Sequence, residues 1–253
     1  GTGERASLLD AVFASAMAGH GAEINDFVPS VFVQPGPAVV ATALTLAADR
    51  DRSGDDVVRA VVAGYELAVR IPRALGVDNL RRTGLANHGI GPVFGAAAAG
   101  ASIARLPAER IHDVLTCCAQ QASGSWQWLL DVEHIEKSFV FAGMGARNGL
   151  HAVLLVEAGF RGVRGVVDHP SGWFASRPFR GGDAEPSALL DGFDRPSALR
   201  DAAMKRHPVG GPAQPAIVAL LDLAREVDRD EVTHVDIAMP GRADAFRDAA
   251  MPA

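Results

Sequence analysis

Apolar residues along most of this chain recur at intervals of three and four, the period of helices that bury one face. Val12, Phe13, Ala16 and Met17 share a face of a helix predicted over residues 10–19. Pro35 and Pro37 open a second helix over 38–48, which closes in the polar turn Asp49-Arg50-Asp51-Arg52-Ser53-Gly54. Asp55 and Asp56 start a third, with Val58, Val61, Val62, Tyr65 and Val69 as its apolar positions and Pro72 near its end. Residues 83–92 read as a Gly-rich turn leading into the small-residue run 94–104. A helix of glycine and alanine lets neighbours approach its backbone closely, so this one is expected at the centre.

Further helices are predicted from Pro107 to about Ala122 and over 143–159. The texture then changes. Residues 162–200 are rich in Gly, Pro, Asp and Ser and read as surface connections with short helical turns. An amphipathic helix over 215–227 follows, and residues 232–239 alternate in the manner of a strand. The expected fold is mainly α: an all-helical domain over 1–200, then the beginning of a smaller α+β domain over 201–253.

Composition narrows the functional classes. Hydrophobic residues make up 48% of the chain and aromatics 6%, which suits close-packed helices. The formal charge of −6, with no basic stripe, argues against a nucleic-acid partner. No apolar run reaches the roughly 20 uncharged residues of a membrane span, and Gly1-Thr2-Gly3-Glu4-Arg5 lacks the apolar core of a signal peptide. The compartment implied is the cytoplasm. The missing initiator Met points to a processed, trimmed or partial chain. Cys117 and Cys118 are adjacent in an apolar helical pattern and read as reduced core residues.

Polar clusters beside Gly or Pro are the candidates for chemistry. They are His20-Gly21-Ala22-Glu23-Ile24-Asn25-Asp26, Asn87-His88-Gly89-Ile90-Gly91, Asp131-Val132-Glu133-His134-Ile135-Glu136-Lys137 and Lys205-Arg206-His207-Pro208-Val209-Gly210-Gly211. Singly, each is equally a solvated loop or a helix end. His20 alone would suit a helix C-terminus, and Lys137, followed by Ser138-Phe139-Val140-Phe141, a snorkelling position at a core edge.

Their order carries more. The segment 11–26, the run GLANHGIGPVFGAAAAGASIA, Lys137 followed by Gly143-Met144-Gly145-Ala146-Arg147-Asn148-Gly149, the turn Ala158-Gly159-Phe160-Arg161-Gly162, and Lys205-Arg206-His207-Pro208 together resemble successive elements of the MmgE/PrpD family. That family includes 2-methylcitrate dehydratases, cis-aconitate decarboxylases and an iminodisuccinate epimerase. The resemblance implies a helical domain facing a smaller lid, with no metal or organic cofactor and a homodimeric assembly. The substrate implied is a small di- or tricarboxylic acid that loses a proton next to a carboxylate. A dehydratase-like lyase is the leading expectation. An isomerase or epimerase of a dicarboxylate, or a non-catalytic relative that only binds a ligand or partner, is the alternative.

Carried over residue by residue, the resemblance makes His88, Lys137, Glu23 and Asp26 the catalytic candidates. His20, Gln34, Asn87, His134 and Lys205 become candidates for substrate binding. Several positions depart from the family pattern. Glu23 is one methylene longer than the family's aspartate, Asn25-Asp26 stands for its aspartate pair, and Phe27 for its threonine. Gln34, Ala86 and Gly210 stand where the family has histidines, with His88 two residues past Ala86. The interval from Lys137 to the Gly-x-Ala-Arg-Asn-Gly element is one residue longer than in the decarboxylase pattern. Arg147 reads either as a cleft residue or as a helix-packing one.

Overall fold

The computed structural model describes residues 5–131, 133, 135–166, 169–176, 179, 182–195 and 198–238. Helix α1 spans Leu8–Gly21 and starts where the Ser7 side chain accepts a hydrogen bond from the Asp10 N–H. Its buried residues are Val12, Ala16 and His20. Four-residue spacing makes them one stripe, so the face that anchors α1 also carries His20 into the interior. Helix α2, Pro35–Asp49, begins with proline, whose missing N–H costs nothing at the first position. Helix α3, Gly54–Leu75, opens with a capping box in which Ser53 and Asp56 satisfy each other's backbone N–H groups. It ends at Gly76, whose φ of 84° suits glycine. Its buried stripe runs through Ala60, Gly64, Tyr65, Ala68 and Val69, whereas Val58, expected on that face, is exposed.

After the short α4, Val77–Arg82, helix α5 runs Asn87–Ala104 and forms the centre of the body, packed against α2, α3 and α8. It begins earlier than its Gly-rich start suggested, so His88 lies in its first turn rather than in a loop. Glycine and proline are unfavourable mid-helix but tolerated near an N-terminus, where the first N–H groups have no intrahelical partner anyway. Pro92 cannot donate to the His88 carbonyl one turn back. Close approach explains the small residues. A Cβ on Gly95 would lie 2.8 Å from the Gly64 carbonyl of α3, and one on Gly149 would lie 2.5 Å from the Val93 carbonyl.

Helix α6, Ile111–Gln121, buries Cys117 and Cys118 as free thiols. Helix α7, Ile135–Ser138, continues through a π-helical turn, Phe139–Gly143, into α8, Met144–Glu157. The run Ile135–Glu157 is long and apolar enough to cross a membrane by length and composition, a property the sequence reading missed because Lys137 and Arg147 interrupt it. In the fold, 61% of its apolar window is buried inside the helical body.

Beyond α8 the chain runs in turns, as expected, but it is tied down. Arg70 pairs with Glu66 at 2.7 Å and donates to the carbonyls of Ala188, Asp191 and Gly192, while Glu66 accepts from the Ala198 N–H. Phe27 and Ala203 then exchange backbone hydrogen bonds as an isolated antiparallel bridge. Helix α9, Gln214–Leu223, is shorter than the predicted 215–227 and buries none of its residues. The alternating segment does not form a strand. Residues 232–238 are irregular and exposed, and no sheet occurs among the described residues. Alternation specifies a face for a strand but supplies no neighbour to accept its N–H groups.

The Gly95→Ala substitution should destabilise the fold by about 1–3 kcal/mol, because the added methyl meets the α3 backbone and not a movable side-chain end. Urea unfolding monitored by circular dichroism checks this, and an unchanged midpoint would contradict the close α3–α5 approach.

Candidate active site

The loop between α1 and α2 turns sharply at Glu23, held at φ 55°, a left-handed conformation uncommon for a residue with a side chain. That turn points the Glu23 carboxylate inward, where only 5% of the residue stays exposed. One oxygen lies 2.5 Å from the Lys137 ammonium and the other 3.0 Å from that of Lys205. Lys205 also donates to the Glu23 carbonyl at 3.0 Å and to Asn25 Oδ1 at 3.4 Å. The Phe27–Ala203 bridge brings Lys205 there. Lys137 is placed by α7, whose N-terminal turn is fixed by Asp131 accepting from the Lys137 N–H at 2.8 Å.

Burial alone would push the Glu23 carboxyl up. The two ammonium groups, Lys137 foremost, outweigh it and hold the group at about 2. Lys205 moves down from the ordinary lysine value, because its burial outweighs the attraction of Glu23.

His20 extends the network. Its Nε2 lies 2.9 Å from Gln34 Oε1 and its Nδ1 2.9 Å from Ser138 Oγ. Gln34 Oε1 also accepts from Asn25 Nδ2 at 2.6 Å, so it serves as an acceptor. His20 therefore carries its proton on Nε2 and accepts from the Ser138 hydroxyl. Burial first, then the two lysines, lower its pKa to about 4 against the pull of Glu23. Gln34 stands at the N-cap of α2 without capping it. Asp26 takes over that role, accepting from the Gly36 N–H at 3.1 Å, and Tyr65 hydrogen-bonds to the same carboxylate. Asp26 Oδ2 is buried without a partner, and burial raises the group above the usual aspartate value.

His88 sits beside this cluster in an aromatic cage. Its ring stacks on Phe141 at 4.2 Å and meets the edges of Trp126 and Trp128 at 5.3 and 5.0 Å between centroids. The Lys137 ammonium lies 5.8 Å from the Phe141 ring and 6.0 Å from Trp128, and so joins the carboxylate cluster to the cage. Burial, followed by the Lys137 charge, brings His88 down to about 3 and keeps the imidazole neutral at ordinary pH.

The fold thus gathers His20, Glu23, Asp26, Gln34, Lys137 and Lys205 into one buried network, with His88 joined to it through Lys137 and Phe141. Asn87 faces elsewhere: its amide donates to the Val31 and Phe32 carbonyls and pins α5 to the loop ahead of α2. His134 lies outside the described residues. Arg147 is exposed on α8 and is not a helix-packing residue. Sequence reasoning missed Ser138, Asn25 and Tyr65 as partners, and Trp126, Trp128 and Phe141 as the cage. A cue was present, since two of the chain's 3 tryptophans stand in the single tripeptide Trp126-Gln127-Trp128. A cavity of about 320 Å³ elsewhere, lined by Ser30, Glu66, Arg70, Arg73 and Asp201 among others, shares no residue with this network. Among the described residues, no group of three or more His, Cys, Asp or Glu is placed to hold a metal ion.

Residues 1–185, which hold the helical body and its Gly/Ala central helix, match the MmgE/PrpD N-terminal domain. The chain belongs to that family. Among its relatives, a cis-aconitate decarboxylase of Aspergillus terreus is 31% identical over 156 residues, covering 59% of this chain and 30% of that protein. A cis-aconitate decarboxylase-like protein oryM of Aspergillus oryzae is 31% identical over 183 residues, covering 68% of this chain and 36% of that one. The chain spans about a third of the length of these relatives.

Stability should fall as pH drops from 7 to 4. His88 and His20 have folded values near 3 and 4 against an ordinary 6.5, so their contributions are complete above pH 6.5 and are lost on acidification toward those values. Each group adds a slope of at most about 1.4 kcal/mol per pH unit. Urea unfolding across this range should show a shallower slope in His88→Gln, and an identical slope would remove the neutral buried imidazole from the account.

Proposed function

We propose that this chain carries the proton-transfer site of a cofactor-independent lyase, which abstracts a proton next to a carboxylate of a small di- or tricarboxylic acid. The observation that carries the reading is the position of Lys137, whose ammonium faces both the Glu23 carboxylate and the cage that encloses a neutral histidine. A carbon acid of this kind is weak. Its removal needs a base and a fixed positive charge where the enolate develops, in surroundings poor in water. Lys137 and Lys205 supply the charge and His88 the base. A carboxylate arriving at Lys137 cancels part of the charge that disfavours the imidazolium, so substrate binding itself raises the basicity of His88. Asp26, with its free oxygen and raised pKa, is a second acid–base group, and His20, tied to Gln34 and Ser138, orients the network. The lid that begins near residue 201, the homodimer and the cytoplasmic location implied by family resemblance belong to the same proposal.

In the full-length protein, His88→Ala and Lys137→Ala should each slow turnover by about 10²–10⁴-fold with the helical content retained. Proton NMR in deuterium oxide, run against a panel of di- and tricarboxylic acids, should show enzyme-dependent loss of a carbon-bound proton. Absence of exchange from every acid, or equal exchange in both variants, would sink the reading.

A further inference from the structure

Lys137 and Lys205 are the fixed positive charges of the network, and one carboxylate of the protein already spans them. Glu23 sets one oxygen 2.5 Å from the Lys137 ammonium and the other 3.0 Å from that of Lys205. A ligand carboxylate held by two ammonium groups takes the same form, one charge offering one oxygen to each donor. The side chain that fills this place comes from the edge of the protein. Gly21, Ala22 and Ile24 are exposed, and Glu23 alone among these four turns inward. It does so at φ 55°, a conformation that costs free energy for a residue with a side chain and persists only where its contacts enforce it. The ion pairs with Lys137 and Lys205 are among those contacts.

The other ionisable groups nearby do not take over this role. Asp26 acts on Lys205 but gives its Oδ1 to the Gly36 N–H, and Asp131 accepts from the N–H groups of Glu133 and Lys137. His20 and His88, held near 4 and 3, are neutral. Two ammonium groups thus share one bridging carboxylate, and they retain attraction for a second. While Glu23 bridges them, however, an arriving carboxylate meets a competitor tethered at the same place. A group on a short tether competes at an effective concentration of millimolar order or above.

We propose that Glu23 is an internal ligand that fills the seat of the incoming carboxylate, and that substrate binds by exchange: its carboxylate takes Lys137 and Lys205 while Glu23 turns out toward the exposed Ala22–Ile24 edge. This rests on the reading of the site as one that binds carboxylates. Lys205 holds the loop through the exchange, because it also donates to the Glu23 carbonyl at 3.0 Å and to Asn25 Oδ1 at 3.4 Å, and its third N–H remains for the ligand. Release from the left-handed turn offsets part of the lost ion pairing. The empty site keeps its buried charges paired, and substrate affinity is set below what the two lysines alone would give.

Isothermal titration of the full-length protein with succinate and with tricarballylate, in the unaltered chain, Glu23→Gln and Glu23→Asp, tests this, with circular dichroism to check helical content. Glu23→Gln empties the seat and should bind the acids at least about tenfold tighter. Glu23→Asp keeps the charge but is one methylene short of bridging both lysines, so it should also bind tighter than the unaltered protein, by a smaller factor. Should Glu23→Gln lose helical content, the Glu23→Asp comparison decides. Equal or weaker binding in Glu23→Gln would overturn the exchange and leave the carboxylate site standing. So would Glu23→Asp matching the unaltered protein, since the nearby negative charge and not occupancy of the seat would then set affinity. Failure of both acids to bind any of the three proteins, or binding indifferent to Lys137→Met, would overturn the carboxylate site and the exchange with it.

Discussion

One buried carboxylate shared between two ammonium groups organises this protein's interior chemistry. Glu23 lies on a strained turn after α1, Lys137 on the short helix before the π turn, and Lys205 beyond the long irregular segment. Removing water from three charges is costly, and their mutual attraction offsets that cost only when the geometry is close and the remaining donors and acceptors are filled. The shared carboxylate meets the first condition, and the carbonyl of Glu23 and the Asn25 side chain help with the second. A buried ion cluster of this kind is a poor device for stability alone. It is a good device for holding distant pieces of chain in one register, which is what a site assembled from four segments requires.

Around that cluster, helix ends double as parts of the network. Gln34 stands where a capping side chain would be expected but gives its oxygen to His20 and Asn25, and Asp26 caps α2 in its place. Gly36 makes the exchange possible, because a Cβ there would collide with the Asp26 carboxylate and the Tyr65 hydroxyl. Local structure and site chemistry are therefore coupled: the residues that start α2 also fix the tautomer of a histidine on α1.

Much of the helical body was legible in the sequence. The three- and four-residue spacing located the main helices, and the Gly/Ala run identified the central one, because lack of side-chain bulk is a direct statement about how near neighbours come. The start of α5 was not legible, since Asn87-His88-Gly89 has the composition of a turn and becomes helical only through packing. The 232–239 alternation misled for the opposite reason: a face was specified without a partner. In the site, charged residues drew notice as polar clusters in apolar surroundings, and most of them meet. The Trp126, Trp128 and Phe141 cage did not, because aromatic residues near a helix read as core until the fold sets them around an imidazole.

The Phe139–Gly143 π turn lies between Lys137 and the glycines of α8. An α-helix has no slack for an insertion: one added residue rotates everything before it by about 100° relative to everything after. Looping a single turn out to i→i+5 bonding absorbs the insertion where it occurs. The glycines of α8 keep their seats against α5, and Lys137 keeps its seat against Glu23. One wide coil, whose Phe141 stacks on the His88 imidazole, thereby sets the rotation between Lys137 and the glycines of α8.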